Sequence, residues 1–256
     1  MQSQPEIRDS FKFLLIASAA TLVLMFIPFA EIITYPFRIF VTYIHEIGHA
    51  VAATMTFGKV SQIGVSLDGS GVTWTSEGWR FLISSAGYLS TTIYGAALLL
   101  LLRRGRFARA AAIATAVVLL VVPVIFNGTL LAWLFGLGIG GGLLLLGLKG
   151  SQRAVHFFMS FLAIQALLNA FYDLRTLMYL SAFAPERQTD AFNMSEATGG
   201  LIPPIVWAVG WLLFSMVILG ATLFVYYRSL KLRADTVMPG VPLLDDPKKS
   251  VMDRFL

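Results

Sequence analysis

Seven apolar runs, each near the length needed to cross a bilayer, constrain this chain more than any other feature. They cover residues 11–30, 37–57, 79–102, 110–126, 129–148, 155–183 and 202–227. A helix of about 20 apolar residues spans a hydrocarbon core ~30 Å thick. In lipid every backbone N–H and C=O must find a partner within the protein, so such runs are helices. Hydrophobic residues make up 57% of the chain and charged residues 13%, against about 45–50% and 25% in soluble domains. The sequence therefore predicts an all-α polytopic membrane protein with about seven spans or re-entrant helices. No soluble segment is long enough to fold alone, so residues 1–233 read as one transmembrane domain and 234–256 as a disordered polar tail. The first run reads as a span and not as a cleaved signal. It is longer than the usual core of about 7–15 residues, and no small-x-small cleavage pattern follows it.

Charge and cysteine content narrow the chemistry. The formal net charge of +5 is small for 256 residues, and the Lys and Arg lie in loops and tails beside apolar runs. They read as topology signals and contacts to lipid headgroups, not as a nucleic-acid surface. There is no Cys, which excludes disulfides, thiolate metal sites and a cysteine nucleophile. Any metal must be held by His, Asp or Glu.

One apolar run carries an exception. His45-Glu46-Ile47-Gly48-His49 lies between Phe37, Ile39, Phe40, Val41, Ile44 and Val51, although an ionisable side chain at the centre of a spanning helix costs about 2.5–3.5 kcal/mol. Two imidazoles four residues apart share a helix face with Cβ atoms about 5–6 Å apart, so both can reach one tetrahedral cation. Glu46 follows the first His, beside the cation but not on it, where a general base can take a proton from an activated water.

The flanking segments are read around that motif. After Gly58 the period changes, and residues 59–75 alternate β-branched with small polar residues on either side of Asp68-Gly69. This pattern predicts a β-hairpin over about 60–75. It must sit in a protein-lined or watery cavity, where its edge would be open to an extended peptide; the alternative is an ordinary interfacial loop. Ser84, Ser85, Ala86 and Gly87, and the glycines 136, 138, 140, 141 and 142, read as small residues that let helices approach closely.

A catalytic cation needs a third protein ligand. The carboxylate in the 155–183 run, Asp173, is the natural choice, because an ionisable group deep in an apolar run is functional by default. Asn169, one turn earlier on the same face, is placed to hold a substrate backbone or steady a ligand. Asp68 and Glu77 are nearer in sequence and remain alternatives, as does an Asp173–Arg175 pair at a helix end. Residues 185–200 read as a polar loop with a short interfacial helix around Asp190–Thr198, with no role expected beyond gating.

Together these segments resemble the site-2 protease class of intramembrane zinc metallopeptidases, and within it the compact bacterial branch without an added PDZ domain. The residues that carry the likeness are His45-Glu46-Ile47-Gly48-His49-Ala50, the 65–73 hairpin, Ala86-Gly87-Tyr88 and Asn169-Ala170-Phe171-Tyr172-Asp173. The resemblance implies Zn2+ bound by His45, His49 and Asp173, with Glu46 as the base. Better-known members read Leu-Asp-Gly at the later ligand, whereas here Leu174 follows Asp173. It further implies a multi-pass protein of the bacterial inner (cell) membrane that cleaves single-span membrane proteins. The other class of function open to the motif is a membrane scaffold or metal transporter, although a transporter would string its ionisable groups along a path.

Overall fold

The computed structural model describes Ile16, Ser18, Ala19, Thr21, Val23 and residues 30–237. The span expected over 11–30 lies almost wholly outside those residues, and so does the tail from 238 onward. Residues 234–237, expected to be tail, continue the last helix.

The chain is built of helices with one hairpin inserted near its start. Helix α1 (Ala30–Met55) carries the His-Glu-x-x-His motif. It begins earlier than the sequence suggested, so Pro36 lies inside it and not in its first turn. The pyrrolidine removes one hydrogen bond from the ladder there. The helix closes when Gly58 N–H bonds the Ala53 carbonyl at 2.8 Å, with Phe57 at φ 60°. This six-to-one closure places its left-handed residue at Phe57. Gly58 serves close approach instead, since a Cβ there would stand 3.1 Å from the Glu77 carbonyl oxygen.

Strands β1 (Lys59–Val65) and β2 (Gly71–Ser76) form the expected antiparallel hairpin, pairing Lys59 with Ser76 and Val65 with Gly71 around a bulge between Val60 and Gln62. Gly69, at φ 85°, makes the turn. Asp68 Oδ1 caps it by accepting hydrogen bonds from the backbone N–H and the hydroxyl of Ser70. Three residues of α1 fasten the hairpin to the helix: Tyr35 donates to the Leu67 carbonyl, Thr42 to the Gly69 carbonyl, and Glu46 accepts from Thr73. The outer edge of β1 is covered, because Ile63 exchanges backbone hydrogen bonds with Phe126 and Thr129.

Helix α2 (Arg80–Leu102) leads through a short turn into α3 (Ala108–Ile125). The 129–148 run is not one regular helix: α4 (Leu130–Phe135) passes through a π turn at Gly136–Gly140 into α5 (Gly141–Lys149). Among the described residues, only two of its five glycines meet a neighbour. A Cβ at Gly136 would stand 2.8 Å from the Leu119 carbonyl and one at Gly140 3.0 Å from Leu120, both on α3, whereas Gly138, Gly141 and Gly142 face open space. Helix α6 (Gln152–Phe183) crosses the centre, a short α7 (Asp190–Ala197) follows, and α8 (Pro204–Val237) ends the described chain.

Five described stretches are long and apolar enough to cross a membrane: Arg80–Leu102, Gly105–Ile125, Leu130–Lys149, Gln152–Phe183 and Pro204–Ser229. Helix α1 is not among them. It carries Glu31, Arg38, His45, Glu46 and His49, and its middle, residues 39–50, is buried or half-buried.

Packing puts the motif at the centre. Ile39, Phe40 and Tyr43 of α1 are buried with Leu98 and Leu99 of α2, Leu119 of α3 and Met159 and Leu162 of α6. A second cluster joins Leu174 and Leu177 of α6 to Ala191 and Met194 of α7 and Ala208 and Trp211 of α8. Helices α1 and α2 meet almost backbone to backbone, since a Cβ at Gly48 would come within 2.7 Å of the Ala86 carbonyl oxygen and of Ser90 Cβ. Overpacking such a crossing costs about 1–3 kcal/mol. Gly48→Val is therefore expected to lower the thermal unfolding midpoint in detergent. Gly210→Ala, where an added Cβ meets nothing within 4 Å, should leave it unchanged.

Candidate metal centre

On α1, His45 and His49 stand one turn apart with ring centroids 4.7 Å from each other. Their Nε2 atoms are 3.0 Å apart. A carboxylate oxygen, Asp190 Oδ2, lies 3.2 Å from the first and 3.3 Å from the second. Among the described residues these three side chains form a group able to hold a metal ion. The spacing suits one: with bonds of ~2.0–2.1 Å, two ligands of a tetrahedral zinc stand about 3.3 Å apart. The donor set, two imidazoles and a carboxylate, leaves a fourth position open, as hydrolytic sites require.

Each ligand is oriented from behind. His49 Nδ1–H donates to the Ile83 carbonyl at 2.6 Å, so in the neutral ring Nε2 carries the lone pair that faces the centre. The His45 ring meets the edge of Tyr88 at 4.6 Å, and Tyr88 stacks at 5.6 Å on Trp211 of α8. Trp211 Nε1–H in turn donates to Ser85 Oγ. A Cβ at Gly87 would overlap His45 Nε2 and stand 2.6 Å from His49 Nε2. The glycine is thus needed by the imidazole pair, beyond its expected use in helix packing.

Asp190 opens α7, where Thr189 caps the helix by accepting from Phe192 N–H. Ala191 and Met194 anchor this short helix in the second apolar cluster. Burial alone would raise the pKa of Asp190, but the His49 and His45 rings beside it prevail and hold its carboxyl below the usual carboxylate range.

The third-ligand expectation is therefore corrected, since Asp190 and not Asp173 joins the His pair. Asp173 lines the same cavity but is not in the ligand group. Asn169 does not line the cavity; its amide donates to the Gln165 carbonyl within α6 at 2.9 Å. Asp68 is committed to its turn, where the Ser70 hydroxyl and N–H hold its carboxyl below the ordinary range. Glu77 pairs with Lys59 at the surface. Asp190 escaped sequence reasoning because its only local mark is a Thr cap before a short helix, a pattern found at helix starts with no metal nearby.

Glu46 is buried, with 4% relative exposure. Thr73 Oγ1 donates to its Oε2 at 2.6 Å. The backbone of β2 runs directly past it, since a Cβ at Gly71 would stand 2.5 Å from Glu46 Oε1. The ligand triad and Glu46 open into a cavity of about 640 Å³ bounded by β2 on one side and by Asp173, Thr176, Leu177 and Leu180 of α6 on the other.

A family model described as Peptidase M50B-like matches residues 15–222. No curated protein matches the chain, and no solved structure does.

Three outcomes follow for metal analysis of the purified protein by mass spectrometry. Asp190→Ala should lower metal affinity at least 100-fold, whereas Asp173→Asn should retain the metal. Gly87→Val, which drives a side chain into both imidazoles, should lose it as completely as removal of a ligand.

Proposed function

This chain belongs to the Peptidase M50B-like family, and on that premise we propose that it is a zinc endopeptidase that cleaves membrane-embedded protein substrates. Its apolar helices and its family make it an integral membrane protein. The observation that carries the proposal is a buried Glu46 next to the His45–His49–Asp190 group, in one cavity.

His45, His49 and Asp190 would hold the zinc ion. When bound, the ion supplies Lewis acidity, lowering the pKa of a water to about 7 and polarising a carbonyl. Glu46 takes the proton of the attacking water and hands it to the leaving amine. The Thr73 hydroxyl occupies Oε2 of Glu46, which fixes the rotamer and leaves the other oxygen, Oε1, to take the proton. Scaffold and transport roles need no such base.

The substrate enters extended, since a helix hides its carbonyls in its own hydrogen bonds. Strand β2 suits it. Its residues Gly71–Thr75 line the cavity, and its only strand partner among the described residues is β1 on the other side. Single-span proteins in the bacterial inner membrane are the substrates that fit such a site.

The test is cleavage of a single-span reporter in proteoliposomes, read by mass spectrometry. Glu46→Gln should lower the rate by about 10²–10⁴-fold with metal content intact. Thr73→Val should lower kcat by about 10–100-fold, the worth of a hydrogen bond to a charged group. Undiminished cleavage by Glu46→Gln would overturn the proposal.

A further inference from the structure

Every other acidic side chain at or beside the cavity has a partner. Asp190 faces the imidazole pair, Glu46 accepts from Thr73, Asp68 is held by Ser70 and Glu77 by Lys59. Asp173 lines the cavity and has no hydrogen bond or ion pair among the described residues. The ionisable groups that face it are His45, Arg38 and, from α2, Tyr88. Arg38 is exposed, and its guanidinium lies over the hairpin turn at Gly69. Arg80 lines the same cavity from the start of α2.

The charge balance singles out Asp173. A dication at the centre is offset by Asp190 and Glu46, and an imidazole that ligates a metal is neutral. Asp173 stands at the wall with the exposed Arg38 guanidinium as the cation that faces it, and with no ion pair or hydrogen bond to it among the described residues. Its surroundings on α6 are specific as well. Thr176, also facing the cavity, spends its hydroxyl on the Tyr172 carbonyl, while Leu177 and Leu180 add apolar surface. Asp173 and Leu177 are four residues apart, neighbours on one helix face. A carboxylate with an aliphatic patch one turn away matches a side chain with an apolar stem and a cationic head, that of Lys or Arg.

Resting on the proteolytic reading above, we propose that Asp173 determines specificity. Substrates carry a Lys or Arg beside the cleaved bond, and this side chain lays its stem on Leu177 and its charged head on the Asp173 carboxylate. The position is distinct from the metal ligands and from the base.

The experiment uses the full chain in proteoliposomes and a single-span reporter whose residues flanking the cleaved bond are set in turn to Lys, Arg, Gln, Leu or Glu. Two readouts are taken: kcat/KM for the wild type, and the Kd of the metal-loaded Glu46→Gln protein for the same reporters. Lys and Arg reporters are expected to exceed Gln and Leu by about 10–100-fold, chiefly through KM and Kd. Asp173→Asn should bring the basic reporters down to the level of Gln, Asp173→Glu should restore part of the preference, and Asp173→Lys should turn it toward Glu. Metal content is measured for each variant. Loss of metal in Asp173→Asn would make this residue a ligand and overturn the proposal, as would a basic preference that survives the substitution, or no preference in either readout. A binding preference that depends on Asp173, in a wild type that cleaves nothing, would support the specificity site and refute the proteolysis.

Discussion

The convergence of three ligand atoms within 3.0–3.3 Å of one another is the interaction on which the rest of this structure depends. Two imidazoles and a carboxylate so close together, in a chain this apolar, are costly unless each is ligated or hydrogen-bonded. The protein answers by burying the middle of α1, where the motif lies. Helix α2 comes near enough for Gly48 and Gly87 to replace side chains with backbone, and Ile83 offers the carbonyl that sets the tautomer of His49. The aromatic pair Tyr88 and Trp211 carries support for His45 out to the last helix.

On the proteolytic reading proposed above, the site also has to admit water and an extended peptide while lipid stays out. The hairpin serves this need through its placement. One edge is tied to the Phe126–Thr129 loop through both backbone groups of Ile63, and the turn is held by Tyr35 and Thr42. The other side, β2, lines the cavity and passes against Glu46. Glu46 and the strand are thus linked by Thr73, a single residue that belongs to the strand and bonds the Glu46 carboxylate.

Much of this could be read before any coordinates. The His-Glu-x-x-His pattern needs only helical periodicity to place both rings on one face, and the Asp-Gly turn with alternating β-branched residues needs only local strand geometry. The resemblance to site-2 proteases, carried by the same residues, agrees with the family match over 15–222. Other readings went astray where the answer was not local. The glycine-rich run gave a π turn with two packing glycines and not five, because which glycines meet a neighbour depends on where α3 lies.

The amino-acid sequence alone determined the helices, the hairpin, the imidazole pair and the carboxylate of Glu46 beside it, because each depends on residues a few positions apart. The tertiary structure decided which carboxylate joins the imidazole pair. Asp173, in an apolar helix, stood out by its cost, whereas Asp190 lay in a polar segment where a carboxylate costs nothing locally. Only the docking of Ala191 and Met194 against α6 and α8 carries that short helix, and Asp190 at its start, across 145 positions of sequence to His45. Local patterns record which groups are expensive where they stand; which of them meet is set by long-range packing.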